Sequence, residues 1–88
     1  MQTRTTDQAN FDRILGQVIR DHREKRMMSR PEVTRMLGKT ESILEKIETG
    51  KASTNMYRIV QICDILGVNP GNIVDLVMYK VHTQNKKP

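Results

Sequence analysis

Apolar residues recur three and four positions apart in five successive segments of the chain, the spacing that places them on one face of an α-helix. The first segment runs from about Asp7 to Lys25. The second begins at Ser29, which forms a capping-box pattern with Glu32, and ends at Gly38, a residue type that tolerates the left-handed backbone found after helices. These signals predict a long first helix followed by a short second one.

Three further helices are predicted in the same way. The third lies between Thr40, whose hydroxyl is suited to cap it, and Gly50. The fourth, from Met56 to Leu66, carries an apolar stripe wide enough for burial on more than one side. The Asn69-Pro70 pair, a capping residue and a proline suited to the first turn, opens the fifth.

The composition limits this helical chain to one small domain. It has 88 residues, of which only 3% are aromatic, so Ile, Leu, Val and Met must build the core, and we expect Met36 and Met56 to lie in it. The fold class predicted is therefore all-α with five helices. We expect a flexible N-terminal arm over residues 1–6, the folded domain over 7–79, and a basic C-terminal tail over 80–88.

The residues that carry charge or reactivity exclude several kinds of function. No Gly-rich phosphate loop, no Cys or His pair at metal-ligand spacing and no Ser, His and acid arrangement is present, so we expect neither an enzyme nor a cofactor. The single cysteine, Cys63, fits a reducing compartment, and no apolar run is long enough to cross a membrane, which favours a cytoplasmic protein. The formal charge of +5 makes a phosphate-rich partner plausible on electrostatic grounds.

The segment from Ser29 to Gly50 predicts a helix-turn-helix. A short capped helix, a glycine turn and a second helix pack at a steep angle, so the second helix projects as a probe for the major groove of DNA. The residues that must meet to hold the two helices are Val33, Leu37, Leu44 and Ile47.

Along about 60 residues the chain resembles the XRE-type helix-turn-helix family, which includes the phage Cro and cI repressors. The residues that carry the resemblance are Leu15-Gly16-Gln17-Val18-Ile19-Arg20 with Arg23, then Ser29, Leu37-Gly38, Ile47-Glu48-Thr49-Gly50, and Ile59, Ile62 and Leu66-Gly67-Val68. The resemblance implies the five-helix λ-repressor-like fold and a sequence-specific transcriptional regulator, most often a repressor. It also implies a structural role for Glu48 at the end of the third helix.

Carried over position by position, the resemblance implies the residues that contact double-stranded DNA. They are Arg30, Lys39, Thr40, Glu41, Ser42, Glu45, Lys46 and Lys51. Arginine can bond to phosphate or guanine, and a glutamate can accept from the amino group of cytosine. Further cations flank the motif and are candidates for phosphate contacts, namely Arg4, Arg20, Arg23, Lys25, Arg26, Arg58, Lys80, Lys86 and Lys87.

Two alternatives stay open at this point. Glu41 and Glu45 would face a lattice of phosphates that repels carboxylates, so the same fold could instead serve as a protein-interaction adaptor or an antitoxin-type partner.

One such domain buries too little surface for tight specific binding, so we expect a homodimer on an inverted-repeat operator. The candidate dimer interface is Ile73, Leu76, Val77, Tyr79 and Val81, unless the fifth helix merely covers the core.

Overall fold

The computed structural model describes residues 5–85, with side chains through residue 84. Within that range the chain forms five α-helices and no strand, which confirms the predicted all-α fold class. The helices are α1 (Thr6–Lys25), α2 (Arg30–Leu37), α3 (Glu41–Glu48), α4 (Met56–Leu66) and α5 (Pro70–Asn85).

Local chemistry explains where the short α2 begins and ends. The Ser29 hydroxyl oxygen accepts from the backbone N–H of Glu32 at 3.2 Å, and the Glu32 carboxylate accepts from the backbone N–H of Ser29 at 2.8 Å, so the capping box is complete. Gly38 ends the helix with φ of 70°, in the left-handed region that glycine adopts without strain. Thr40 precedes α3 with an extended backbone, but its side chain makes no capping hydrogen bond, so that part of the prediction is wrong.

All five helices contribute to one hydrophobic core. α1 packs against both α3 and α5, α2 packs against α3 and α4, and α4 packs against α5. The most deeply buried side chains are Ile14, Val18 and Ile19 of α1, Val33 of α2, Leu44 of α3, Ile62, Cys63 and Leu66 of α4, and Val77 of α5. The core is thus aliphatic, as the scarcity of aromatic residues predicts.

Two methionines predicted to lie in the core are exposed. Met36 is 64% exposed and Met56 is 58% exposed. α2 buries only the narrow stripe around Val33 and Thr34, and Met36 lies beside that stripe. Met56 is the first residue of α4, where the neighbouring helices do not cover it. Helical spacing alone overestimates the width of a buried face when a helix is packed on one side.

The ends of the chain are more helical than the sequence predicts. Thr5 caps α1 and Thr6 is its first residue, so the helix begins within the predicted arm. α5 continues to Asn85, six residues past the predicted end of the domain. Within that extension Val81 packs against the core, and Arg13 of α1 donates a hydrogen bond to the Gln84 side chain at 2.9 Å. The rest of the predicted arm and tail, residues 1–4 and 86–88, lies outside the described residues. None of the described helices has the length and apolar character needed to cross a membrane.

Candidate functional site

α2, the turn after it and α3 form a compact unit whose inner side is part of the core. Val33 of α2 and Leu44 and Ile47 of α3 are buried, and Leu37 packs against them. The opposite side of α3 carries Glu41 and Ser42, which are exposed. The predicted helix-turn-helix is therefore present, with one face of its second helix open to solvent.

α1 fixes the position of α3 through a contact between the two backbones. A Cβ atom placed on Gly16 would lie 2.2 Å from the carbonyl oxygen of Ile47 and 2.7 Å from that of Glu48. Only a residue without a side chain allows the helices to come this close. The exposed face of α3 is thus held at a fixed distance from the long first helix.

A buried carboxylate joins the end of α3 to α1 and α2. Glu48 is 3% exposed and receives two hydrogen bonds from Arg23, from Nε to Oε2 at 2.7 Å and from Nη2 to Oε1 at 3.0 Å. Arg23 also donates from Nη1 to the carbonyl oxygen of Met28 at 2.7 Å, and Arg30 donates from Nε to Oε1 of Glu48 at 3.0 Å. The hydrogen bonds to Glu48 raise the pKa of Arg23, against the opposing effect of burial. We call Arg23, Arg30 and Glu48 the buried ion triad.

The buried ion triad fulfils the structural role expected of Glu48. Removing one partner from a buried ion pair leaves an uncompensated charge and costs about 3–5 kcal/mol, so loss of Arg23 or Glu48 is expected to destabilise the packing of α1 against α3. It also reassigns Arg23, which the sequence placed among the phosphate-contacting cations. The guanidinium of Arg23 is bonded inside the protein, with only 10% of the side chain exposed.

An open groove of about 370 Å³ lies between the start of α2 and the exposed face of α3. It is lined by Arg30, Glu41, Ser42 and Glu45, four of the predicted DNA-contacting residues. Neither Glu41 nor Glu45 has an ion-pair partner among residues 5–85. The sequence singled out Arg30 and Glu48 for separate roles and missed the bond between them, because residues 18 positions apart meet only after α2 and α3 have packed.

The other four predicted DNA-contacting residues are exposed and do not line this groove. Lys39 and Thr40 lie in the turn before α3, Lys46 lies on α3, and Lys51 follows it.

The buried hydroxyl of Thr34, on the inner side of α2, donates to the carbonyl oxygen of Arg30 at 3.0 Å. Without that bond the hydroxyl would be buried with no hydrogen-bond partner, which costs free energy.

The arrangement can be compared with known proteins. The model of a helix-turn-helix domain family matches residues 14–76, most of the chain and all of α2 and α3. The chain belongs to this helix-turn-helix family. A solved structure with the same fold is the clp gene regulator ClgR from Corynebacterium glutamicum, with a TM-score of 0.78 and 16% sequence identity over 85% of this chain and 80% of that one. No curated protein matches the chain in sequence.

The cations that flank the helix-turn-helix motif have different surroundings. Arg20 pairs with Glu24 on the surface of α1 at 3.2 Å, and the guanidinium of Arg26 lies against Gly67. Arg58 at the start of α4 is half-buried, and its Nε is covered without a hydrogen-bond partner among the described residues. Lys25 and Lys80 are exposed, while Arg4, Lys86 and Lys87 lie outside the described residues.

The fifth helix of the helix-turn-helix domain supplies core residues where the sequence predicted a dimer interface. Ile73 and Val77 are 2% and 0% exposed within a single chain, so assigning them to an interface between copies is wrong. They are buried because α5 packs against both α1 and α4. Leu76 and Val81 are half-buried against the same core, and Tyr79 is exposed. The idea that α5 covers the core is thus correct for its inner side.

An apolar groove of about 310 Å³ remains on the outer side of α4 and α5. Its lining consists of Met56, Val60, Pro70, Gly71, Val74 and Asp75. No residue of α3 belongs to this lining. Within residues 5–85 no group of three or more His, Cys, Asp or Glu side chains is placed to hold a metal ion.

Proposed function

We propose that this chain is a sequence-specific transcriptional regulator that inserts α3 into the major groove of DNA. The observation that carries the proposal is the exposed face of α3, held rigidly by the Gly16 contact and the buried ion triad, with Arg30 beside it. A helix presented in this way fits the width of the major groove. The fold shared with ClgR, a gene regulator by its title, supports the same proposal.

The eight predicted DNA-contacting residues then divide into two groups. The groove residues Arg30, Glu41, Ser42 and Glu45 face base edges. The phosphate contacts are assigned to the exposed residues outside the groove, Lys39, Thr40, Lys46 and Lys51. Their charge and hydrogen-bonding groups add affinity without sequence preference.

The regulator acts in this proposal as a homodimer that represses transcription from an inverted-repeat operator. Two copies add their contacts on half-sites about one helical turn apart, which a single small domain needs for tight binding. The apolar groove on α4 and α5, together with the exposed Met78 and Tyr79, replaces the interface predicted from sequence. Pairing there leaves α3 free to reach DNA.

The first test is selection of bound fragments from a random pool of duplex DNA, followed by sequencing. A regulator of this kind enriches an inverted repeat, whereas equal recovery of all sequences would refute sequence-specific binding. A reporter gene that carries the enriched site then shows whether binding lowers transcription. Sedimentation of the free and DNA-bound protein gives the number of copies.

Lysine substitutions test the placement of the contacts. Lys46→Gln is expected to weaken binding to all sequences and to lower the salt slope of the binding constant by about 1, as the loss of one phosphate contact should. Lys80→Gln removes the same charge from α5, which does not pack against α3. Lys80 is itself a flanking candidate for a phosphate contact, so docking through α3 predicts a smaller effect for Lys80→Gln than for Lys46→Gln. Equal effects of the two changes would contradict docking through α3.

The unpaired carboxylates of Glu41 and Glu45 favour one second candidate, an adaptor or antitoxin-type protein whose acidic α3 docks on another protein. Changing both residues to glutamine separates the two functions. A DNA reader loses affinity or changes its base preference. If the protein is an adaptor, the double variant either gains non-specific DNA binding or shows no DNA binding at all. It also no longer captures the protein partner in a pull-down from the native host.

A further inference from the structure

Arg30 is oriented by one hydrogen bond from Nε, which leaves the two outer nitrogens of its guanidinium available to a ligand. Its Nε donates to Oε1 of Glu48, while the side chain remains 26% exposed. A guanidinium has five N–H donors, and the four on Nη1 and Nη2 have no acceptor among the described residues. Two parallel donors on these nitrogens are what a bidentate bond to O6 and N7 of guanine requires.

Glu48 and the open groove lie on one face of α3. Glu41, Ser42, Glu45 and Glu48 follow one another at helical spacing, with Glu48 at the buried end. Arg30 therefore reaches Glu48 at one end of this face and borders the groove at the other. The bond to Glu48 thus holds Arg30 beside the groove before any ligand binds.

The charges on this face disfavour a simple phosphate site. The buried ion triad has two cations and one anion, and Glu41 and Glu45 add two negative charges beside it. Glu41 is the first residue of α3, where the helix dipole stabilises a negative charge. Glu45 has no such structural reason, and it stands four residues after Glu41, an arrangement in which like charges repel.

A carboxylate beside an arginine matches one base pair in particular. In the major groove cytosine presents an amino donor to which a carboxylate bonds, and its partner guanine presents two acceptors to an arginine. Adenine presents an amino donor next to the acceptor N7, which repels a carboxylate. The pair formed by Glu45 and Arg30 thus has the donors and acceptors that complement a G·C pair.

We propose that the operator half-site contains guanine and cytosine on the same or adjacent base pairs, read by Arg30 and Glu45, and that Glu48 is the positioning residue for Arg30. This inference rests on the proposed function, since it names the bases that the same face selects. Holding Arg30 in place before binding lowers the ordering cost of the contact and keeps the guanidinium aligned for guanine. The buried ion triad then serves both the fold and the reading of DNA.

The test compares the sites selected by variants with the site selected by the natural protein. Arg30→Lys keeps the charge but removes the bidentate geometry, so it is expected to lose the preference for guanine at one position, about tenfold in relative affinity, with an unchanged salt slope. Glu45→Gln is expected to relax the preference for cytosine. Glu24→Gln makes the same chemical change on the surface of α1, outside the helix-turn-helix, and should leave this preference in place.

Glu48→Gln weakens the support of Arg30 and is expected to reduce the guanine preference. Arg23→Lys is its control, because it disturbs the same buried ion triad while leaving the bond from Arg30 to Glu48. It should lower stability without changing the bases selected. If Glu48→Gln does not fold, Arg30→Lys and Glu45→Gln still decide whether these residues read bases.

The possible results separate this inference from the proposed function. Enrichment of no sequence by the natural protein would overturn both. If Arg30→Lys and Glu45→Gln select the same bases as the natural protein, these two residues do not read the bases. The proposed function as a sequence-specific regulator would still stand. Equal base preferences in folded Glu48→Gln and in the natural protein would refute the positioning role of Glu48.

Discussion

Replacing Gly16 with alanine is expected to destabilise the fold, because α1 and α3 touch through their backbones at this residue. The new Cβ would lie 2.2 Å from the carbonyl oxygen of Ile47, and 2.7 and 2.9 Å from the carbonyl oxygen and carbon of Glu48. Ordinary van der Waals contact begins at 3.4 Å, so all three distances are too short. Backbone atoms cannot rotate aside, so α3 has to move away from α1.

The magnitude follows from two opposing effects. Forcing an extra methyl group into a packed interior costs about 1–3 kcal/mol, occasionally more. Alanine is better than glycine inside a helix by about 1 kcal/mol, which offsets part of that cost. Because the obstacle is backbone, we expect the upper part of the range and a net loss of about 2 kcal/mol in the free energy of unfolding. For a domain of this size the melting temperature then falls by roughly 10 °C.

Thermal and urea unfolding followed by circular dichroism measure this loss. Gly71→Ala is the comparison for stability, since its Cβ would meet no backbone atom and only the side-chain oxygen of Asn69, at 3.0 Å. The same displacement of α3 should weaken DNA binding by Gly16→Ala relative to the natural protein. A Gly16→Ala protein as stable as the natural one would refute the close contact between α1 and α3.

Three further predictions concern single side chains. Ser29→Ala should cost about 1 kcal/mol in urea unfolding because it removes the capping box of α2, whereas Thr40→Ala should cost less because Thr40 makes no capping hydrogen bond; equal losses would contradict this. The hydrogen bond from the Ser29 backbone lowers the pKa of Glu32 in the folded protein. The stability that this carboxylate adds is therefore present above its ordinary pKa and is lost as the pH falls through the pKa of the folded state. Glu32→Gln should reduce the loss of stability in acid, and a pH profile of stability identical to that of the natural protein would refute this contribution. Burial raises the pKa of the Cys63 thiol, so a thiol reagent at neutral pH should react with it only after unfolding, and rapid reaction of the folded protein would show that the site opens.

The helix boundaries were predictable because short stretches of sequence determine them. Ser29 and Glu32 complete their capping box within one turn, and Gly38 and Gly67 adopt the left-handed conformation that ends α2 and α4. The helix-turn-helix was predictable for the same reason, since its two helices and its turn are continuous in sequence. The structural role of Glu48 at the end of α3 followed from resemblance to the family and is confirmed, although its burial and its two partners were not foreseen.

The burial of α4 and α5 was less predictable, because it depends on which helices lie beside them. The apolar positions of α5 exceed one stripe, and the sequence assigned Ile73 and Val77 to an interface between copies. In the structure α5 packs between α1 and α4, so both residues face the inside of the same chain. Met56 shows the opposite case, an apolar residue at the right spacing that no neighbouring helix covers.

The sequence by itself determined the five helices, the ends of α2 at Ser29 and Gly38, and the α2-turn-α3 unit, since hydrogen bonds and turn conformations within a few residues specify them. Tertiary structure decided which charged and apolar groups remain available. Arg30 became part of the buried ion triad because α2 packs against α3, and Gly16 brought two backbones together because α1 packs against α3. No local pattern in the sequence describes either contact. Charged residues that are far apart in sequence, such as Arg30 and Glu45, line one groove only after the helices have packed.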